Sequence, residues 1–330
     1  RVGIDISAYT KDSEDLIIDL ELDQSTGYSS STVNSASINN KGIEAIISVV
    51  PVQSRDFTWE VTGQFSKLKS EVLSIADGIS KVYVAGYTGR GNIAIPGMPF
   101  GIMEGSTISR DYGSLDGLDH TQVHSDDRLN YTPFLDANGG YTYLGTGMIG
   151  DPQPDFVYGV TNTLSYKWAT IRVQFDHQVG GDMFTTTVST MTGRGILGNT
   201  GFDRFVPVIT SGLKLDGTPY TKQTTANQHY WPNTGVFYDE QSVYDASTMR
   251  LREVSLSLVA PKSFLNGTPF GNASLTLSAQ NIWHLAYNTP KDSNFDPEVS
   301  SYGTGNNVRG FDEMTGPTAK KYGATLSLTF

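Results

Sequence analysis

Apolar and polar residues alternate along most of this chain with a period of two. This is the mark of strands that show one face to an apolar medium and the other to water. The clearest case is Tyr322-Gly-Ala-Thr-Leu-Ser-Leu-Thr-Phe330, in which Tyr322, Ala324, Leu326, Leu328 and Phe330 share one face. Val2, Ile4, Ile6 and Ala8 begin the pattern, and after a turn at residues 11–13 Leu16, Ile18, Leu20 and Leu22 repeat it. Residues 24–40 are too polar for a core and read as a loop. Ile43, Ala45, Ile47 and Val49 form a strand that Pro51 should stop, and Phe57, Trp59, Val61, Gly63 and Phe65 form the next. Shorter strands are expected at 81–88 and 99–111. Residues 116–154, rich in Gly, Asp and Asn, read as a long loop. Residues 156–166 and 171–177 make a hairpin about a turn at 168–170, ended by Gly180-Gly181. Residues 183–246 hold no long strand, although 185–192 suits a short helix. The last three strands are expected at 251–260, 273–281 and 322–330.

The connections fall into two groups. Those at 11–13, 53–56, 168–170 and 261–271 are short, and those at 24–40, 116–154, 180–246 and 282–320 are long. Outer-membrane barrels have short periplasmic turns and long extracellular loops. Alternating stretches of ten or more residues also exceed the usual ~5–6 of a globular strand and match the ~9–11 that cross a bilayer. The expected fold class is therefore all-β: an antiparallel transmembrane β-barrel segment with long extracellular loops, built from about eleven strands.

Composition narrows the function. The net charge of −11, from 23 basic and 34 acidic residues, opposes nucleic-acid binding, which needs a basic footprint. The chain has no cysteine, which removes disulfides, thiolate metal sites and cysteine nucleophiles. No run approaches the ~18 apolar residues of a membrane helix. The chain opens at Arg1 inside a strand pattern, without initiator Met or signal peptide, and is expected to be a piece of something longer.

Several segments, in order, resemble the SusC/RagA family of TonB-dependent outer-membrane transporters of Bacteroidota. They are Ser25-Thr-Gly-Tyr28 with Asn39-Asn-Lys-Gly-Ile-Glu44, Phe57-Thr-Trp-Glu60, Ile149-Gly-Asp-Pro-Gln-Pro-Asp155 and Phe175 through Gly180-Gly-Asp182. Asp245-Ala-Ser-Thr-Met-Arg-Leu-Arg-Glu-Val-Ser255, Ser278-Ala-Gln-Asn-Ile-Trp283, Phe295-Asp-Pro-Glu298 and the terminal Phe330 complete the set. The resemblance implies a 22-stranded barrel of which this chain is the C-terminal portion, about half. The TonB box and plug domain lie outside it. It also implies TonB-dependent import of oligosaccharides or peptides across the outer membrane, with a SusD-like lipoprotein on the outside. Energy would come from the TonB–ExbB–ExbD complex acting through the plug. The remaining N-terminal half of the barrel and outer-membrane lipid are further expected partners. In this family a terminal strand such as Tyr322, Ala324, Leu326, Leu328 and Phe330 resembles the signal read by the barrel-assembly machinery.

Candidate site residues follow from residue type. Tyr230, Trp231, Phe237 and Tyr238 lie in a long loop, where aromatics stack on a sugar or peptide or fold the loop on itself. Arg250 and Arg252 are expected to face the lumen, contacting plug or substrate or forming a lumenal salt bridge, since a lipid-facing Arg costs ~2–4 kcal/mol at midplane. Trp59, Tyr158, Trp168, Trp283 and Tyr322 suit interfacial girdles. His120 and His124, among Asp116, Asp119, Asp126 and Asp127, have metal-ligand chemistry, but His-x3-His on a loop does not fix two ligands on one face, and no metal site is expected. Asn266 and Asn272 head formal glycosylation sequons. No Gly-x-Ser-x-Gly elbow, His-Glu-x-x-His or phosphate loop is present, and no spacing singles out a carboxylate pair, so neither catalytic residue nor cofactor is expected. Two other readings fit the alternation: a soluble secreted β-sandwich that binds polysaccharide, and a small passive outer-membrane pore.

Overall fold

The computed structural model describes residues 1–330 apart from 22–23, 29, 88, 112–129, 232, 234–236, 291, 302–308 and 317. Eight strands form one antiparallel sheet: β1 (Val2–Glu21), β2 (Ser30–Gln53), β3 (Phe57–Ser74), β4 (Phe156–Tyr166), β5 (Ala169–Val179), β6 (Thr248–Val259), β7 (Asn272–Ala286) and β8 (Lys321–Thr329). Each pairs with the next in sequence, an up-and-down meander.

The register carries the alternation across the whole sheet. Trp59, Leu164, Ile171, Leu256, Leu277 and Ala324 form one cross-strand row. The adjacent row, on the opposite face, is Glu60, Thr163, Arg172, Ser255, Ser278 and Gly323. Among the described residues nothing covers the apolar face: Val2 is 68%, Ile4 64%, Ile6 65% and Leu326 66% exposed. A continuous exposed apolar surface of this extent marks a face that contacts another protein or a membrane. The buried clusters lie instead at the long-connection end. There Val72 packs with Val82 and Ala94, Met183 with Val188 and Phe295, and Phe184 with Met103 and Phe311. The wall is two-faced and the hydrophobic core belongs to the cap.

The connections are asymmetric as expected, with corrections in detail. Short turns follow Gln53, Tyr166 and Val259, and the long connections follow Ser74, Val179 and Ala286. Residues 11–13 are not a turn. β1 runs straight through them, pairing Lys11 with Asn40 and Asp12 with Asn39, and a bulge follows between Ser13 and Leu16, with Asp15 at φ 53°. Residues 30–40 are correspondingly strand rather than loop. Alternation fails there because the strands overrun the apolar band: Lys11 and Asp12 are exposed, while Ala36 and Ile38 further along β2 are buried, Ala36 against the cap. Pro51 does not stop β2; it sits in a bulge between Val49 and Val52, where a missing N–H is tolerated. The tight turn after β4 is Lys167-Trp168, with Lys167 at φ 51°, because Ala169 already pairs with Tyr166.

Among the described residues the wall has eight strands, not about eleven, so it is closer to a third than to half of a 22-stranded barrel. The shorter expected strands belong to the cap: Val82–Tyr87, Arg90–Ala94, Ile102–Ile108 and Tyr143–Gly150 form a separate four-stranded sheet. The last of these, and Thr132–Leu135, occupy a stretch expected to be loop. The expected helix forms over Thr186–Arg194, its N-terminus capped by the Thr185 hydroxyl accepting from the Val188 N–H at 3.2 Å.

Candidate functional site

The polar face of the wall carries a charged network where β5, β6 and β7 meet the cap. A register shift in β6 between Leu251 and Glu253 bulges the strand, so Leu251 stays on the apolar face while Arg250, Arg252 and Glu253 are all turned to the polar one. Arg250 is 1% exposed. Its guanidinium donates through both terminal nitrogens to Asp296, with Nη1 at 3.0 Å from Oδ2, and its Nε lies 3.4 Å from Glu298. Arg252 donates through Nε to Asp176 at 2.5 Å and through Nη2 and Nη1 to Glu298 at 2.5 and 2.9 Å. Burial pushes the Asp296 carboxyl upward, but hydrogen bonds from Arg250, Thr318 and the Glu298 N–H outweigh it and hold the group at about 2. These two arginines thus tie β6 to residues 295–298 of the last long connection. They flank a concave region of about 560 Å³ on the polar face, which Asp5, Glu44, Gln64, Asp176 and Glu298 also line.

Three further motifs meet beside this network. The Asp151 N–H donates to Asp182 at 2.8 Å, the Ala246 N–H to the Gly181 carbonyl at 2.7 Å, and the Gly180 N–H to the Ser247 hydroxyl at 2.8 Å. Gly180 has φ +73°, and a Cβ there would lie 2.6 Å from an Asp155 carboxylate oxygen. Segments that are far apart in sequence are therefore one construction, the joint between wall and cap.

Sequence reasoning missed a second group. Asp239 and Glu240 are buried and fasten one long connection to another. Asp239 accepts from the Ser106 N–H at 2.8 Å and pairs with Arg90 at 2.6 Å. Glu240 accepts from the Ile108 N–H at 3.0 Å and pairs with Arg110 at 2.6 Å. The only signal was an adjacent acid pair after Tyr238. Its partners are more than a hundred residues away.

The expected loop aromatics are not one site. Tyr238 donates to the Tyr141 carbonyl and sits edge-on to that ring at 6.3 Å. Tyr230 packs on Phe202 at 5.8 Å, and Arg204 lies 5.5 Å over its ring. Trp231 and Phe237 contact each other edge-on at 6.2 Å; Arg194 lies 5.2 Å over the Trp231 ring, and Phe237 is 52% exposed. Trp59 and Trp168 lie at the short-turn end, while Tyr158, Trp283 and Tyr322 lie near the opposite strand ends. Tyr322, Ala324, Leu326 and Leu328 line the apolar face of β8, and Phe330 packs on Phe270 at 5.1 Å. His120, His124 and the neighbouring aspartates lie outside the described residues. Among the described residues no cluster of three metal-ligating side chains occurs, and no helix is long and apolar enough to cross a membrane.

No family model matches the chain. Among curated proteins it is similar to TonB-dependent receptors P3 and P26 of the Bacteroidota member Formosa agariphila. They are 27% and 26% identical over the whole chain, which spans 32% and 33% of their own length. TonB-dependent receptor P39 of the same organism is 29% identical over 46% of the chain. Among solved structures, the RagAB peptide transporter matches all of the chain and 34% of its own at 19% identity and TM-score 0.63. The 'closed-closed' state of the RagAB peptide importer matches with TM-score 0.64. The curated relatives agree with the SusC/RagA resemblance of the motifs. The likeness to RagAB shows the fold: the eight-stranded sheet is a portion of a barrel wall, and the chain spans about a third of the proteins it matches.

Proposed function

We propose that this chain is the C-terminal part of the barrel of a TonB-dependent outer-membrane importer of SusC/RagA type. The observation that carries the reading is the two-faced wall. Its strands present an uncovered apolar face on one side and a charged face on the other, and every long connection gathers at one end. A sandwich would bury that apolar face on a second sheet, and among the described residues no second sheet covers it. The apolar face then meets outer-membrane lipid, the cap lies outside the cell, and Arg250, Arg252 and their partners line the lumen. The remainder of the barrel, with its plug, comes from sequence outside this chain. The whole protein takes up oligosaccharides or peptides, with a SusD-like lipoprotein over the cap and the TonB–ExbB–ExbD complex supplying energy through the plug. The likeness to a peptide transporter supports the peptide arm, and the exposed ring of Phe237 suits either substrate.

Two measurements test this. The full-length protein should migrate differently in detergent gels before and after boiling, and its uptake of fluorescent oligopeptides or oligosaccharides should stop in cells lacking TonB. A protein that is monodisperse without detergent, or uptake indifferent to TonB, contradicts the proposal.

A further inference from the structure

Three lysines stand on the apolar side of the wall where it overruns the apolar band. Lys41 on β2 and Lys69 on β3 are direct cross-strand partners, and Lys67 precedes Lys69 by two positions on the same face. Lys67 is paired with Ile43, which carries on the row of Ile47 and Ala45, so all three point outward with the apolar side chains. All three are exposed, and among the described residues none forms an ion pair. Like charges set directly opposite one another weaken a ladder. No ion pair among the described residues holds the cluster, and the nearest carboxylates on the same face, Asp12 and Glu71, stand one row further out.

Their height gives the cluster a meaning. β3 starts at Phe57 at the short-turn end. At roughly 3.3 Å per residue and a strand tilt of ~40°, Lys67 stands roughly 25 Å above it, about the full height of a barrel's apolar band. The level just below is aromatic. Phe65 and Phe156 lie 5.7 Å apart, Phe156 stacks on Tyr158 at 6.4 Å, and the Tyr158 hydroxyl is 2.7 Å from His177 Nδ1. Aromatic rings at the interface with cations immediately outside them is the arrangement that faces lipid headgroups.

We propose that Lys41, Lys67 and Lys69 form a site for the phosphate of an outer-leaflet lipid headgroup. Lysine ammonium groups bind phosphate as compact point charges. One phosphate seated over the Lys41–Lys69 pair removes their repulsion and ties the β2–β3 overhang to the membrane. The site rests on the barrel reading for the position of the bilayer.

The test uses full-length protein in phosphatidylcholine nanodiscs that carry either diphosphoryl lipid A or its dephosphorylated form, with retained lipid read by native mass spectrometry. The phosphorylated form should be retained in preference. Lys41→Gln, Lys67→Gln and Lys69→Gln should each weaken retention roughly fivefold, while Lys11→Gln on the polar face should not. Heat-modifiable migration checks that each variant is folded. Equal retention of the two lipids, wild-type retention by the triple variant, or displacement of the lipid by inorganic phosphate alone overturns the site. A barrel indifferent to lipid phosphate overturns the site alone; a protein soluble without detergent overturns the barrel reading with it.

Discussion

Replacing Asp296 by Ala leaves the Arg250 guanidinium buried with only a 3.4 Å approach of Glu298 to its Nε. Arg250 and Asp296 side chains are each 1% exposed, and removing one member of so buried a pair costs ~3–5 kcal/mol. The loss falls on the joint between the wall and residues 295–298, since the wall's own ladders are untouched. Hydrogen exchange of the full-length protein in detergent, read peptide by peptide, should therefore quicken by about two to four orders of magnitude in the 290–299 region. β4 and β5 should keep their protection. Asp296→Leu combined with Arg250→Leu should recover most of the loss, because a well-packed apolar pair replaces a buried ion pair at little cost. Protonation gives an independent handle. The folded carboxyl titrates at about 2 against an ordinary 3.8, so the interaction is complete above pH 4 and is lost as the pH falls toward 2. That shift is worth about 2 kcal/mol. It should show as acid-induced loosening of this peptide, absent in Asp296→Asn. Unchanged exchange in Asp296→Ala, or a double variant as damaged as the single one, would refute the assignment of this pair as the fastening of wall to cap.

Other predictions follow from the same geometry. Val173→Arg, on the apolar face midway up the wall, should cost ~2–4 kcal/mol of folding free energy in lipid vesicles, whereas Gln174→Arg on the polar face should be tolerated. Equal costs would contradict the two faces. Gly180→Val combines a positive φ with a Cβ 2.6 Å from Asp155; it should lower the temperature at which heat-modifiable migration is lost. Glu240→Gln should weaken the hold on Arg110 and raise protease cleavage within 102–111, and unchanged cleavage would mean the cap is fastened elsewhere.

The wall was legible in sequence wherever its two faces meet different media. β4, β5 and β8 read correctly because lipid and lumen impose opposite residue types on alternate positions. Legibility ended where that contrast ended. Lys11, Asp12, Asn39 and Asn40 continue the β1–β2 ladder through backbone pairing, and with polar residues on both faces nothing in their residue types marks a strand. The cap was harder for another reason. Its strands are short and pair across long separations, as Phe184 does in parallel with Phe311. The motifs were visible as strings, but not that Arg250 and Arg252 meet Asp296 and Glu298 across the joint. That contact depends on a bulge in β6 and on the path of the last connection, neither of which local patterning records.

This chain has no cysteine, so with any cysteine elsewhere in the full-length protein replaced by serine, the central claim, a wall with one face in lipid and one in water, is directly measurable. Single cysteines are placed at each position from Tyr322 to Leu328 in the full-length protein, folded in vesicles, and exposed to a charged, water-soluble maleimide. The account predicts labelling at Gly323→Cys, Thr325→Cys and Ser327→Cys, and protection at Tyr322→Cys, Ala324→Cys, Leu326→Cys and Leu328→Cys. Uniform labelling along β8, or the opposite alternation, would contradict it.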